Sequence, residues 1–117
     1  MKIESYSFGS ICIDGTKYEH DVIVDRGTVL KRKKKRSKPF RSEFGHTPLS
    51  IEEAIPWNCK TLIVGTGAYG ALPVMADVER EARKRHVQLI VLPTPNAIDC
   101  LNVLADDSVN AVLHVTC

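Results

Sequence analysis

The stretch TLIVGTGAYGALPVMADVEREARKRHVQLIVL, residues 61–92, decides the fold of this chain. Two short apolar runs, residues 61–64 and 88–92, predict buried strands, because strands covered on both faces lose their polar alternation. Between them, apolar side chains recur at helical spacing and predict a helix over residues 73–86. A strand, a helix and a second strand at this spacing predict a βαβ unit with parallel strands.

The pattern continues towards the C-terminus. Thr94, followed by Pro95, has the residue types of a helix start, and residues 109–115 form another apolar run. Towards the N-terminus, short alternating runs separated by Asp14-Gly15 and residues 25–27 predict an antiparallel meander. Residues 34–47 lack apolar periodicity and predict a loop. Ser50 with Glu53 has the spacing of a capping box ahead of a short helix. The chain is therefore expected to be an α/β domain with a mostly parallel, mixed sheet.

Length and composition limit the class of protein. The 117 residues fit a single domain over residues 1–117, with hydrophobic content of 44% and charged content of 26%, as in ordinary globular proteins. No apolar run is long enough to cross a membrane, and no secretory signal is recognisable. The four cysteines lack the spacing of a metal site or a disulfide framework. We expect reduced thiols, no metal, no membrane association and a cytoplasmic location.

Charge is concentrated in residues 31–41. This basic segment holds eight of the sixteen basic residues and no acid: Lys31, Arg32, Lys33, Lys34, Lys35, Arg36, Lys38 and Arg41. The rest of the chain has eight basic and fourteen acidic residues, a net charge of −6. Such a segment attracts phosphates or an acidic partner. Its only aromatic residue is Phe40, however, and the acidic remainder opposes duplex binding. The composition therefore favours a solvated, mobile loop or an edge strand whose lysines block strand addition.

Gly65, Gly67 and Gly70 follow the first apolar run of the opening stretch. The spacing is that of a dinucleotide-binding turn, but that site needs an acid after the next strand, and residues 92–94 contain none. A tight glycine turn is the simpler interpretation. If this turn and Thr94 lie at the ends of neighbouring parallel strands, their helix N-termini would share one crevice able to hold a small anion.

No catalytic signature is present. His114 and Cys117 would form a thiol–imidazole pair if the terminus folds back, but the residues favour an ordinary packed histidine and a C-terminal thiol. Asn102 lies among apolar residues of the second helix and requires a polar partner, either backbone or ligand.

Several pieces of the chain together resemble one family. They are Tyr6-Ser7-Phe8-Gly9 with Asp14-Gly15, the run from Leu62 to Gly67, Thr94 with Ala97, Asn102 and Leu104, and His114-Val115-Thr116-Cys117. Their order is similar to the Mth-domain family, long catalogued as a domain of unknown function. The family includes an adipogenesis-associated protein and, more distantly, a mitochondrial complex I assembly factor. The resemblance implies a three-layer fold: a mixed central sheet, helices packed on it and an added N-terminal antiparallel β-hairpin layer.

The resemblance also implies a shared crevice. Gly65, Gly67, Thr94, Asn102 and His46 match the family's pattern, and with Gly70 they are the expected ligand-binding residues. Relatives often carry aromatic and basic residues ahead of the histidine, whereas this chain has Lys33-Lys34-Lys35-Arg36 there. Animal relatives are described as regulatory or assembly proteins, which act by binding partners.

Three functions follow as expectations. The first is a non-enzymatic binding, regulatory or assembly module without cofactor, which holds a small anion or an acidic protein through the crevice and the basic segment. The second is an enzyme acting on a phosphorylated or carboxylate metabolite, with His46 as acid/base. The third is nucleic-acid binding through residues 31–41.

Overall fold

The computed structural model describes residues 1–104 and 106–117. In chain order the strands are β1 (Ile3–Ser7), β2 (Ser10–Ile13), β3 (Thr16–Tyr18), β4 (Val22–Asp25), β5 (Thr28–Lys31), β6 (Thr61–Thr66), β7 (Gln88–Leu92) and β8 (Val109–His114). The helices are a 3-10 helix (Lys35–Phe40), α1 (Arg41–Phe44), α2 (Ala76–Lys84) and α3 (Thr94–Leu104).

The central sheet has five strands in the order β5-β4-β8-β6-β7. The predicted parallel unit is confirmed, because β6 pairs in parallel with β7 on one side and with β8 on the other. β4 pairs antiparallel with β8, and the edge strand β5 pairs antiparallel with β4, so the sheet is mixed. The carboxyl ends of β6, β7 and β8 consequently lie at one edge, where Gly65 aligns with Leu92 and Thr66 with His114.

Alternate residues of the central strands supply two cores. Ile63, Ala111 and Leu113 face a cluster that includes α3 and the small sheet β1-β2-β3, which lie on the same side. Leu62 and Val112 face a second cluster that α2 covers. The expected α/β fold with three layers and an added N-terminal β layer is confirmed.

The predicted N-terminal meander is wrong in one respect. The first five strands are divided between two sheets, and only β1-β2-β3 form the separate antiparallel layer. Residues 22–24 are all buried, so β4 has no polar face to expose and enters the central sheet instead. Asp14 and Gly15 make the predicted hairpin turn, both with positive φ.

Three local predictions are corrected. Most of the predicted loop 34–47 is helical, since the 3-10 helix runs directly into α1, which Gly45 ends in the left-handed region. Ser50 and Glu53 do not form a capping box: the Glu53 carboxylate binds Arg32 instead. α2 starts three residues later than predicted, because Val74 is extended and bridges Leu49. Within the part of the chain that the structure describes, no helix combines the length and apolarity needed to span a membrane.

Candidate functional site

The turns after β6 and β7 lie side by side at the carboxyl edge of the sheet. The Thr94 amide donates to the Gly67 carbonyl oxygen over 2.9 Å, and the Gly67 amide donates to Thr94 Oγ1 over 2.8 Å. Thr94 Oγ1 in turn donates to the His114 carbonyl oxygen over 2.6 Å. A side chain on Gly65 would lie 2.8 Å from this hydroxyl. One buried threonine therefore joins all three parallel strand ends, and Gly65 leaves the room for it.

The hollow between these turns is filled by the chain itself. Residues 115–117 enter it as a C-terminal segment, and the amides of Ala68, Tyr69 and Ala71 donate to its Thr116 and Cys117 carbonyl oxygens over 2.9 to 3.2 Å. Every amide from 67 to 72 has an acceptor within the protein. Gly67, at φ 101°, has no space for a Cβ beside this segment. The amides expected to hold an anion thus hold the C-terminal segment.

An open pocket lies next to the filled hollow. It has a volume of about 310 Å³ and lies between the C-terminal segment and the basic segment. We call it the basic pocket, and its lining residues are Lys34, Lys38, Arg41, Gly45, His46, Thr47, Leu72, His114, Thr116 and Cys117. The predicted basic segment therefore lies beside the filled hollow, where the sequence predicted a crevice.

Local structure positions the cations of the basic pocket. Lys34 precedes the 3-10 helix, Lys38 lies within it and Arg41 begins α1. The Gly45 amide donates to the Arg41 carbonyl oxygen over 2.8 Å, and this left-handed turn brings His46 back towards the same opening. Among the described residues, no carboxylate lies within 4 Å of the charged groups of Lys34, Lys38 or Arg41. The pocket therefore gathers cationic side chains that no described Asp or Glu side chain pairs with.

A buried ion network lies beneath the basic pocket. Arg32 is the centre of it: Nε and Nη2 donate to the two carboxylate oxygens of Glu53, each over 2.8 Å, and Nη1 donates to Asp21 Oδ2 over 2.9 Å. Nη2 also donates to the Pro48 carbonyl oxygen over 3.1 Å. Burial opposes a charged guanidinium, but the hydrogen bonds and charges of Glu53 and Asp21 raise the pKa of Arg32. The fork geometry of arginine suits this double contact.

The network extends to both walls of the pocket. Ser37 in the 3-10 helix donates to Glu53 Oε2 over 2.5 Å and lies 2.6 Å from Ser50 Oγ. On the other side, His114 Nδ1 lies 2.7 Å from Asp21 Oδ2. An ionised carboxylate only accepts, so Nδ1 carries the proton. We call the 3-10 helix with its lysines the basic helix. The buried ion network therefore fixes the position of the basic helix relative to His114.

Asp21 is held in its charged form. Burial alone would raise the pKa of this carboxyl group, but the hydrogen bond and charge of His114, the Val115 amide and Arg32 together lower the pKa to about 2. On the far side of the imidazole, His114 Nε2 lies 3.2 Å from Thr116 Oγ1. Asp21 thus orients His114 so that its second nitrogen faces the C-terminal segment.

The structure brings some of the expected ligand-binding residues together and separates others. Gly65, Gly67, Gly70 and Thr94 surround the filled hollow, and His46 lines the basic pocket beside it. Asn102 lies elsewhere: its amide group binds both the amide and the carbonyl oxygen of Ile3 over 3.2 and 3.0 Å, which joins α3 to β1. Backbone is the polar partner that the sequence required for Asn102.

Sequence reasoning missed the network residues. Arg32 looked like one more exposed cation, although its side chain is 1% exposed. No motif surrounds Asp21, and the spacing of Glu53 from Ser50 indicates a helix cap rather than an ion pair. The spacing between these residues carries no local signal. His114 and Cys117, weighed as a thiol–imidazole pair, both line the basic pocket, but the hydrogen bonds of His114 go to Asp21 and Thr116.

Comparison with solved structures gives several close matches in fold. A conserved hypothetical protein from Pyrococcus horikoshii is 30% identical with a TM-score of 0.85, and the alignment covers 100% of both chains. The protein MT938 is 25% identical with a TM-score of 0.70, covering 99% of this chain and 98% of its own. A Bordetella pertussis protein described as a Mth938-like domain shares the fold at 18% identity and a TM-score of 0.65, covering 97% and 85%.

Among curated proteins, no sequence matches the chain. A match to a family, described as a protein of unknown function (DUF498/DUF598), extends over residues 3–114. This range includes nearly the whole described fold, and the Mth938-like neighbour agrees with the resemblance seen in the sequence. The chain belongs to the DUF498/DUF598 family of proteins of unknown function.

Proposed function

We propose that this protein is a non-enzymatic binding module that holds an anionic group of a small ligand or acidic partner in the basic pocket. The observation that supports the proposal most directly is the pocket's lining. Lys34, Lys38, Arg41 and His46 surround it, and no described aspartate or glutamate lines it. Like charges held close together repel each other, and a bound anion relieves that repulsion.

The size of the pocket fits a small ligand or a terminal group. At about 310 Å³ it is at the lower end of ordinary ligand sites. The cations are exposed and reach the pocket on flexible side chains, so their attraction is screened by salt. We therefore expect binding that weakens clearly as ionic strength rises.

The buried ion network supports the same proposal. Ser37 anchors the 3-10 helix to Glu53, and Arg32 connects Glu53 to Asp21 beneath the pocket. The basic helix is thus held before any ligand arrives, which reduces the ordering cost of binding. A flexible basic tail would lack this advantage.

The test is a thermal-shift and calorimetric titration with inorganic phosphate, pyrophosphate and citrate at two salt concentrations. A ligand at roughly 100 times its Kd stabilises the folded state by about 2.7 kcal/mol, which raises Tm by several degrees in a domain of this size. The double variant Lys34→Gln/Lys38→Gln should lose the shift. The matched control Lys33→Gln/Lys35→Gln should keep it, because both of its residues lie outside the basic pocket. Equal loss in both variants would contradict a defined site.

One observation supports an enzyme as the second candidate function: Asp21 and His114 form a hydrogen-bonded pair. A carboxylate that orients an imidazole is the arrangement of many general bases, and this one borders the same pocket. The structure thus offers His114, rather than His46, as the acid/base candidate. Hydrolysis of a generic phosphate monoester that is lost in His114→Gln and retained in His46→Gln would support it. Absence of turnover by the wild type under conditions where phosphate binds would exclude this reaction.

We also propose a cytoplasmic location. Cys12, Cys59, Cys100 and Cys117 are all free thiols, which persist in reducing compartments. Fractionation of cells expressing the tagged protein tests this.

A further inference from the structure

Two aromatic side chains form an exposed pair that the fold does not use. Phe8 lies in the turn between β1 and β2, Tyr69 lies in the turn after β6, and their ring centroids are 6.2 Å apart at 38°. Phe8 is 59% exposed and Tyr69 is 81% exposed. Single exposed aromatic side chains are common on protein surfaces. Two that come from distant parts of the chain and contact each other at the surface form an apolar patch that a ligand can bind.

The aromatic pair and the basic pocket share one border, the C-terminal segment. The Gly9 amide, next to Phe8, donates to the Val115 carbonyl oxygen over 2.7 Å, and the Tyr69 amide donates to that of Cys117 over 3.1 Å. Thr116 and Cys117 also line the basic pocket. Both features therefore border the C-terminal segment, and an extended ligand that crosses this segment would contact both.

The basic segment carries more charge than the basic pocket contains. Lys33, Lys35 and Arg36 are exposed and line a second hollow of about 540 Å³, which Glu52 and Glu53 also line. Because Glu53 is already bound by Arg32, the three cations outnumber the remaining carboxylate, and net positive charge continues beyond the pocket. A single phosphate or carboxylate would leave these cations unused, whereas a chain of phosphates would contact them in sequence.

From this juxtaposition we propose that the protein binds single-stranded nucleic acid, with one base stacked on Tyr69 and Phe8 and the adjoining phosphates over the basic pocket and Lys33–Arg36. The proposal rests on the proposed anion-binding function and names its ligand class. Stacking needs an open base face, which a duplex hides and a single strand presents. The sequence offered only Phe40 as a stacking residue, and the tertiary fold supplies a pair.

The test compares an oligouridylate of roughly ten nucleotides, within the usual site size, with an abasic chain of equal phosphate number, by fluorescence anisotropy. The wild type should bind the oligouridylate about tenfold more tightly than the abasic chain. Phe8→Ala/Tyr69→Ala should remove that difference without weakening the abasic chain. The matched control Val103→Ala, which trims an exposed apolar residue of α3, should retain it.

The outcomes separate this inference from the function on which it rests. If the wild type binds both chains equally and Lys34→Gln/Lys38→Gln binds neither, the aromatic contact is overturned and the anion site stands. If Lys34→Gln/Lys38→Gln binds both chains as the wild type does, the basic pocket is overturned as the binding site, and with it this proposal. If polyglutamate binds as tightly as the oligouridylate, the ligand is an acidic peptide and the proposal is overturned.

Discussion

Arg32 and Lys34 are two residues apart in the same basic run, but they belong to two different regions of the molecule. Arg32 is buried and has a carboxylate on each side, in the buried ion network. Lys34 is exposed at the basic pocket, without a described carboxylate in contact. A run of like charges in a sequence therefore does not report one role. Whether a basic residue stabilises the fold or is free to bind a ligand depends on where it lies relative to the end of β5.

The difference begins at the end of β5. The Arg32 amide donates to the Asp21 carbonyl oxygen over 3.0 Å, which extends the strand pairing by one residue and directs the side chain inward. Beyond it the chain leaves the sheet and turns into the 3-10 helix, whose residues are exposed except the buried Ser37 and the half-buried Phe40. The network then uses a buried cation to hold a helix of exposed cations in place.

The largest expected effect comes from removing the buried cation. Arg32→Met retains an apolar stem but leaves Asp21 and Glu53 buried without their partner, and we expect a loss of about 3–5 kcal/mol in the free energy of unfolding. Urea denaturation measures it. Arg36→Met, an exposed control in the same run, should change stability by less than about 0.5 kcal/mol.

Equal losses in the two arginine variants would break the distinction between the regions. Should Arg32→Met fail to fold, Arg32→Lys keeps the charge and loses the double contact with Glu53. It should be destabilised to an intermediate extent.

Acid should weaken the buried ion network next. The pKa of Asp21 is lowered from 3.8 to about 2 in the folded protein. Its contribution, on the order of 2 kcal/mol, is present above the unfolded pKa of about 3.8 and is lost as pH falls through about 2, because the unfolded chain binds the proton first. Asp21→Asn should be less stable at neutral pH and show a flatter acid limb in denaturation curves. Asp99→Asn, exposed on α3, should keep the wild-type slope.

A smaller effect is expected at the contact that joins the two regions. Ser37→Ala removes the hydrogen bonds to Glu53 and Ser50, and should cost about 1–2 kcal/mol. Amide hydrogen exchange should accelerate across residues 35–40, because their helix loses its anchor. Ser42→Ala in α1 is the exposed control and should change neither quantity. Unchanged exchange in Ser37→Ala would show that the basic helix does not depend on the network.

The smallest effect on stability is expected at the basic pocket itself. Lys34→Gln/Lys38→Gln should alter the free energy of unfolding by less than about 0.5 kcal/mol, since both side chains are exposed. The same variant should nevertheless lose anion binding, measured by calorimetry. A large loss of stability would mean that the pocket cations, like Arg32, are part of the structure.

Much of the fold could be predicted, because burial leaves a periodic trace. Unbroken apolar runs such as 61–64 identified the parallel strands, and the helix spacing after them required the crossover. The division of β1–β5 between two sheets was less visible, since a short strand looks the same in either sheet. Residues 34–47 lacked periodicity because a 3-10 helix that exposes nearly all its residues has no apolar stripe to show.

The candidate site was predicted in part. The sequence identified Gly67, Thr94, His46 and the basic segment. The structure places the first three near the carboxyl edge of the sheet, together with Lys34, Lys38 and Arg41 of the basic segment. Nothing in the sequence indicated that residues 115–117 would occupy the glycine turn. A backbone segment that supplies carbonyl oxygens can have almost any side chains, so no residue type marks it.

By itself the sequence determined the βαβ core, the N-terminal hairpin turn and the separation of a basic segment from an acidic remainder. Each of these depends on residues close together in the chain. Only the tertiary structure decided which cation is buried, which histidine Asp21 orients and which aromatic rings meet. Those choices join residues as far apart as Asp21 and His114, 93 positions along the chain. Such contacts form only when the packing of the whole sheet brings distant segments together. The residues next to each partner in the sequence therefore do not indicate which partner it will contact.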